Sequence, residues 1–191
     1  MKWVLIIVFI SFSFSFLFSF FNKKETLDLS GYSKSIYDYS YADIDGNEIF
    51  FSDFKNKKIM IVNVASKCGY TPQYEGLQKL HDKYGDKIEI LGFPSNDFLW
   101  QEPGKNEDIK KFCSTKYGVT FKIFQKSIVK KKQKQNSIYT WLSHKELNGW
   151  NEKEPSWNFC KYLINEKGEL IHFYSQKTKP FSEEITSFIN E

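Results

Sequence analysis

The sequence predicts an α/β protein with a central mixed sheet, flanking helices and an N-terminal β-hairpin. Residues 59–64 and residues 87–93 are short apolar runs of the kind found in buried strands, and a helical pattern lies between them. A strand, a helix and a second strand in this order form a βαβ unit, whose two strands run parallel. Residues 159–174 read as a hairpin, which adds antiparallel strands to the same sheet.

Two further stretches are predicted to be strands. Residues 37–51 alternate aromatic and polar residues around Asp45 and Gly46, a dipeptide typical of hairpin turns. Residues 119–128 form another strand-like stretch after the βαβ unit. We therefore expect a hairpin before the βαβ unit and an extended segment after it.

The helix inside the βαβ unit is predicted from its ends as well as its periodicity. Thr71 is a good N-cap, Pro72 suits the first helical position and Gly85 can end the helix. The residues between them recur at helical spacing, namely Leu77, Leu80, His81 and Tyr84. A second helix is predicted over residues 107–116, with Asn106 as its cap.

Composition excludes several classes of function. The chain has 191 residues, enough for one domain with a core, and a net charge of +4 that comes from lysine alone. Without arginine it lacks a bidentate grip on phosphate, so nucleic acid is not an expected partner. The three cysteines are too widely spaced for a disulfide framework or a zinc site.

The N-terminus reads as a targeting segment. Residues 3–21 are uncharged and nearly all apolar, and they follow Lys2 as in a signal peptide. We therefore assign residues 1–21 to a signal peptide or a retained membrane anchor, residues 22–34 to a polar linker or transit segment, and residues 35–191 to the folded domain. This leader predicts entry into the secretory pathway, with a plastid-like organelle as one destination and the cytosol as the site of a form without the leader.

Cys68 stands out because it lies where the first strand of the βαβ unit gives way to the helix. Unpaired N–H groups at a helix start favour a thiolate over a thiol, and Lys67 adds a positive charge beside it. A cysteine at such a position can equally be a small buried hydrophobe. Local sequence alone leaves both interpretations open.

Three distant segments together resemble the glutathione peroxidase family, over roughly residue 36 to the C-terminus. They are Asn63-Val-Ala-Ser-Lys-Cys68-Gly-Tyr-Thr, Leu91-Gly-Phe-Pro-Ser-Asn-Asp-Phe-Leu-Trp-Gln101-Glu-Pro-Gly and Trp157-Asn158-Phe. The resemblance implies a thioredoxin fold, with Cys68 as the peroxidatic residue and Gln101, Trp157 and Asn158 as the rest of a catalytic tetrad. Taken singly, the last three also read as a surface loop residue, a core aromatic residue and a turn residue.

The resemblance also implies a reaction cycle without a cofactor. Cys68 attacks H2O2 or an organic hydroperoxide, lipid hydroperoxides included, and becomes a sulfenic acid. Cys113 resembles the resolving cysteine of thioredoxin-dependent members, which forms a disulfide that a thioredoxin-like donor reduces. The alternatives are glutathione as the reductant, with Cys113 a core residue, or a relay that passes oxidation to a partner protein.

Departures from the family pattern carry expectations of their own. Cysteine replaces the selenocysteine of many vertebrate members, and the arginines that hold glutathione carboxylates are absent. The stretch between Phe124 and Trp157 is too short for the loop associated with tetramers, so we expect a monomer. Cys160 has no family role and is expected to pack in the core.

Overall fold

The structure, a computed structural model, describes residues 28–191. The predicted hairpin is confirmed: β1 (Ser40–Ala42) and β2 (Glu48–Phe50) pair antiparallel. Gly46 has a φ of +90°, and the Asp43 carboxylate accepts two backbone N–H groups within the turn. The Asp-Gly signal in the sequence therefore reflects a turn that needs a left-handed residue.

The central sheet is mixed, as predicted. Its strands are β3 (Lys58–Val64), β4 (Ile88–Pro94), β5 (Lys122–Ile123), β6 (Lys161–Ile164) and β7 (Leu170–Tyr174). Their spatial order is β5-β4-β3-β6-β7. β3 pairs in parallel with β4, whereas β6 pairs antiparallel with both β3 and β7. Every residue of β3 is buried, so this strand is the centre of the molecule.

Helices pack on both faces of the sheet. They are α1 (Gln73–Tyr84), α2 (Asn106–Tyr117), α3 (Ser137–Ser143), α4 (Lys145–Asn148) and α5 (Glu183–Asn190). Apolar residues of α1, α2 and α5 share one core cluster with Met60, Val62 and Val64 of β3. On the other face, Phe93 meets Tyr139 of α3 with ring centroids 5.4 Å apart. The sheet is thus covered on both sides, as an α/β sheet with parallel strands requires.

Both predicted N-caps are wrong, whereas Gly85 ends its helix as predicted. Helix α1 begins at Gln73, and the Thr71 hydroxyl instead donates to the Ala65 carbonyl and accepts the Cys68 N–H. Helix α2 follows Lys105, whose N–H donates to Asp108, and the Asn106 side chain accepts the Lys126 N–H. In each case a residue with good capping chemistry is used to hold a neighbouring loop.

The strand predicted over residues 119–128 is much shorter than expected. Only Lys122–Ile123 pairs with β4, as β5. Beyond β5, the Gln125 N–H donates to the Ala42 carbonyl of the hairpin, and the Ser127 N–H donates to the Pro94 carbonyl. The segment is therefore extended but leaves the sheet to bridge two neighbours.

The predicted leader falls largely outside the described residues. Residues 1–27 are not described, so the assignments of residues 1–21 and 22–34 stay predictions.

Within residues 28–191, no helix combines the length and apolar character that a membrane span demands. The same part of the chain holds no group of three or more metal-ligating side chains.

Candidate active site

Cys68 lies in a tight turn between β3 and α1. Its backbone N–H donates to the Thr71 hydroxyl at 2.9 Å, and the Tyr70 N–H donates to its sulfur at 3.4 Å. The residue is buried, with 8% of its surface exposed. The Lys67 side chain next to it in sequence is exposed, so its charge is screened by solvent.

Gln101 follows a strained turn in the loop between β4 and α2. Leu99 and Trp100 have φ values of +50° and +52°, and the Gln101 N–H donates to the Phe98 carbonyl at 3.1 Å. Bulky residues rarely adopt this conformation, which suits glycine or asparagine. The Gln101 carbonyl accepts the Lys67 N–H at 2.9 Å, so the turn places Gln101 against the segment that carries Cys68.

Trp157 and Asn158 lie in the loop that precedes β6. The Asn158 side-chain amide donates to Gln101 Oε1 at 3.0 Å, and Asn158 is fully buried. The half-buried Trp157 ring lies 5.7 Å from the ring of Phe98. The structure thus joins Gln101 and Asn158 directly, and it links Trp157 to the same loop through Phe98.

Cys113 belongs to a helix and not to the loops that carry this cluster. It is a buried residue of α2, and it lines a cavity of about 230 Å³ together with residues of the hairpin turn and β5. The pKa of the Cys113 thiol is raised to about 11, chiefly by burial, with the Tyr74 hydroxyl opposing the shift and the charge of Glu102 adding to it. All three cysteines are free thiols, so Cys113 is not bonded to Cys68.

Cys160 packs in the core, as its strand-like neighbours predict. It is fully buried, and its sulfur lies 3.7 Å from both the Ser156 hydroxyl and Gln176 Oε1.

Sequence reasoning missed two buried polar residues that shape the site. The Asn63 side chain donates to the Trp157 carbonyl at 2.9 Å and accepts the Cys160 N–H at 3.0 Å, which ties β3 to the tryptophan loop. Glu102 is fully buried, accepts the Ser66 hydroxyl at 2.6 Å, and has its pKa raised by burial. The available signal for Asn63 was one amide inside an otherwise apolar strand.

The arrangement defines a class of protein. A βαβ unit with an antiparallel hairpin added to its sheet, and a cysteine at the carboxyl end of the central strand, is the arrangement of a thiol oxidoreductase with the thioredoxin fold. A family model described as glutathione peroxidase matches residues 36–143. The chain belongs to the glutathione peroxidase family and is a peroxidase.

Individual relatives agree with this assignment. A glutathione peroxidase of Lactococcus lactis is 43% identical over 81% of this chain and 99% of its own length. A glutathione peroxidase-like peroxiredoxin of Saccharomyces cerevisiae is 42% identical, over 82% of this chain and 98% of the relative. A hydroperoxy fatty acid reductase of Synechocystis is 38% identical, over 78% and 90%.

A solved structure supports the same family assignment. The crystal structure of Trgpx in apo form superposes with a TM-score of 0.61 at 32% identity, and covers 82% of this chain and 96% of its own. The predicted thioredoxin fold is therefore confirmed. Members of the family react with a peroxide and a thiol reductant, and this chain is assigned the same two classes of reactant.

Proposed function

We propose that Cys68 is the peroxidatic residue and that Gln101, Trp157 and Asn158 complete its site. The observation that carries this proposal is the hydrogen bond from Asn158 to Gln101 Oε1, because it joins two loops beside the Cys68 turn. With Oε1 engaged, Gln101 Nε2 makes no hydrogen bond within residues 28–191 and remains a donor for peroxide oxygen or for sulfur.

The first step is a displacement at oxygen. The Cys68 thiolate sulfur forms a bond to one peroxide oxygen while the O–O bond breaks, and the leaving oxygen takes a proton and departs as water or an alcohol. Cys68 is thereby oxidised to a sulfenic acid and the peroxide is reduced. Amide and indole N–H groups suit this step because they donate to the developing negative charge without titrating.

Cys113 is proposed to resolve the sulfenic acid. An S–S bond forms as the S–O bond of Cys68 breaks, and water leaves with the proton of the Cys113 thiol. Cys113 is 2% exposed on α2 and is not bonded to Cys68, and burial raises the pKa of its thiol to about 11. Resolution is therefore proposed to need α2 to open and expose the sulfur.

Opening of α2 must release the buried Ile109 and Cys113 from the core, but its ion pair with the hairpin turn is weak. Lys110 Nζ lies 2.6 and 2.8 Å from the two Asp45 carboxylate oxygens of the hairpin turn, and both side chains are about half exposed. Such a surface pair contributes only about 0.2–1 kcal/mol. A helix of this length is marginal without its packing, so it can unfold while the sheet stays intact.

Hydrogen exchange tests the opening step. We expect backbone exchange across residues 107–118 to rise after oxidation with H2O2 and to return to its starting level after reduction. The βαβ unit serves as the internal control, because its exchange should not change. An oxidised protein that keeps α2 protected would contradict the opening step and leave the peroxidase assignment standing.

A thioredoxin-type protein is proposed as the reductant. The support is Cys113 itself, together with the absence of arginine, which leaves no guanidinium to hold glutathione carboxylates. Turnover of purified enzyme with a thioredoxin system and with glutathione separates the two reductants. Faster turnover with glutathione, unchanged in Cys113→Ser, would favour glutathione and assign Cys113 to the core.

Hydroperoxides of fatty acids are proposed as substrates beside H2O2. The support comes from the relative named as a hydroperoxy fatty acid reductase. Rate constants for oxidation of Cys68 by H2O2 and by a fatty acid hydroperoxide decide the preference. A rate with the lipid at least tenfold below that with H2O2 would speak against lipid as the main substrate.

The leader is proposed to direct the chain into the secretory pathway, with a plastid-like organelle as one destination. Fusing residues 1–34 to a fluorescent protein tests this proposal. Cytosolic fluorescence from the fusion would contradict it.

We also propose that the folded domain is a monomer and that it folds without the leader. Sedimentation of a chain starting at Ser35 will test both.

A further inference from the structure

Lys161 is a buried ammonium beside the candidate site. It begins β6, is paired in the sheet with Val62 of β3, and is fully buried. Lysine is among the residues least often buried, because removing its charge from water is costly. A lysine in the first position of a central strand therefore needs a specific reason.

Three oxygens surround the Lys161 ammonium, one for each of its hydrogens. Gln73 Oε1 accepts at 2.6 Å, the Thr178 carbonyl at 2.7 Å and the Phe159 carbonyl at 2.9 Å. No carboxylate of residues 28–191 lies within ion-pair distance of it. Apolar residues often replace buried charges without loss of stability, so stability alone does not account for this one.

The three oxygens belong to three separate segments around the site. Gln73 is the first residue of α1, on the segment that follows Cys68. Phe159 directly follows Asn158 and has a φ of +69°, a left-handed conformation that is unfavourable for phenylalanine. Thr178 lies after β7, where the Gln73 side-chain amide also donates to the Gln176 carbonyl at 2.7 Å.

We propose that Lys161 is a positioning residue, whose ammonium fixes the segment carrying Cys68 relative to the loop carrying Trp157 and Asn158. This inference rests on the proposed roles of those three residues. Lys161 holds the Phe159 carbonyl on one side and the Gln73 amide on the other. The Phe159 N–H also donates to the Asn63 carbonyl of β3, so both ends of this strained residue are anchored.

A misplacement of about 1 Å in an active site can slow a reaction by roughly a hundredfold. Without Lys161, the Phe159 carbonyl and the Gln73 side chain lose their common partner. The Trp157 and Asn158 donors are then free to shift relative to Cys68. The step that depends on this geometry is attack on the peroxide, and chemical reduction of the disulfide does not depend on it.

The test compares two lysines of the same sheet. Lys161→Met removes the proposed link, and Lys58→Met removes a buried lysine of β3 that donates to the Ile189 carbonyl, away from the site. Stopped-flow oxidation by H2O2 and reduction of the oxidised protein by dithiothreitol are measured for both. We expect oxidation of Lys161→Met to be roughly ten- to a hundredfold slower, with its reduction unchanged and both rates unchanged in Lys58→Met.

Gln73 provides a second pair of variants that spares the buried lysine. Both variants lose the amide that donates to the Gln176 carbonyl, but only Gln73→Met also loses the acceptor of Lys161, so oxidation should be slower in Gln73→Met than in Gln73→Glu. This pair decides the question if Lys161→Met fails to fold. Wild-type oxidation in Lys161→Met, equal slowing in Lys58→Met, or a wild-type rate in Gln73→Met would overturn the positioning role. Full turnover in Cys68→Ser would instead remove the proposed function.

Discussion

The two ends of strand β3 place buried lysines in contrasting surroundings. At the amino end, Lys58 reaches the Ile189 carbonyl at 3.4 Å and a Glu166 carboxylate at 3.6 Å. At the carboxyl end, Lys161 of the neighbouring strand has three neutral oxygens. The first lysine has a counter-charge at the protein surface, and the second lies in the interior without one.

Backbone strain follows the same division. Three bulky residues with positive φ lie near the carboxyl end, namely Leu99, Trp100 and Phe159. At the amino end the turn between β6 and β7 has glycine, Gly168, at its positive φ of +81°. The comparison shows that residues at the amino end suit their conformations, while the carboxyl end keeps costly conformations where the candidate site lies.

Replacing the nucleophile should have the largest effect. Cys68→Ser should lower peroxidase activity by about a thousandfold or more, because a serine hydroxyl has almost no anionic form near neutral pH. Peroxide consumption with a thioredoxin system is the measurement, with Lys58→Met at the opposite end of β3 as control. Substantial turnover by Cys68→Ser would remove the functional difference between the two ends.

Replacing Cys113 should block the second half of the cycle only. In Cys113→Ser we expect oxidation by H2O2 at the wild-type rate, a persistent sulfenic acid on Cys68, and thioredoxin-supported turnover reduced more than about tenfold. Mass spectrometry of a dimedone adduct detects the sulfenic acid. The matched control is Cys160→Ser, which should behave as wild type because its thiol only packs. An intramolecular disulfide still forming in Cys113→Ser would assign resolution to Cys160.

Replacing a glycine at the amino end and introducing one at the carboxyl end should have opposite effects on stability. Gly168→Ala should destabilise by about 2 kcal/mol or more, since φ is positive there and the added methyl would lie 2.5 Å from Cε2 of Tyr37. Trp100→Gly should stabilise by about 1 kcal/mol, because it relieves a left-handed tryptophan that is 77% exposed. Urea unfolding measures both. Destabilisation by Trp100→Gly would mean that the tryptophan is held by packing.

The pH dependence of stability should reveal Lys161. Burial lowers the pKa of Lys161 to about 7, well below the value of roughly 10.4 in an unfolded chain. Between these values the unfolded state binds more protons, so this group makes stability rise with pH, by at most about 1.4 kcal/mol per pH unit. Unfolding from pH 7 to 9 should show this slope in wild type and lack it in Lys161→Met. A deprotonated Lys161 keeps two hydrogens, so the positioning role retains two of its three bonds above pH 7. Equal slopes would mean that the three oxygens keep the ammonium protonated.

The sequence predicted the elements whose signals are local. The apolar run of β3, the Asp-Gly turn and the helical spacing of α1 each depend on near neighbours in the chain, and the structure contains all three. The three loops around Cys68 were predicted from a resemblance, and the hydrogen bond between Gln101 and Asn158 brings two of them together.

The sequence did not reveal polar residues whose partners lie far along the chain. Asn106 has good capping chemistry, yet its side chain accepts the Lys126 N–H, because a partner 20 residues away competes with the helix end. Asn63 and Lys161 look like interruptions in apolar strands. Their purpose depends on carbonyls and amides that come together only in the folded sheet, so no local pattern identifies them.

The exposed turn before Gln101 also gives the protein a built-in optical probe. Within residues 28–191, Trp100 is 77% and Trp150 47% exposed, whereas Trp141 is 2% exposed and Trp157 is half-buried. In a chain starting at Ser35 that carries Trp150→Phe, a collisional quencher such as acrylamide will therefore reach Trp100 far more readily than the other two. Any reductant or lipid that covers this rim shields Trp100 from the quencher, so fluorescence can report on docking without a label and without turnover.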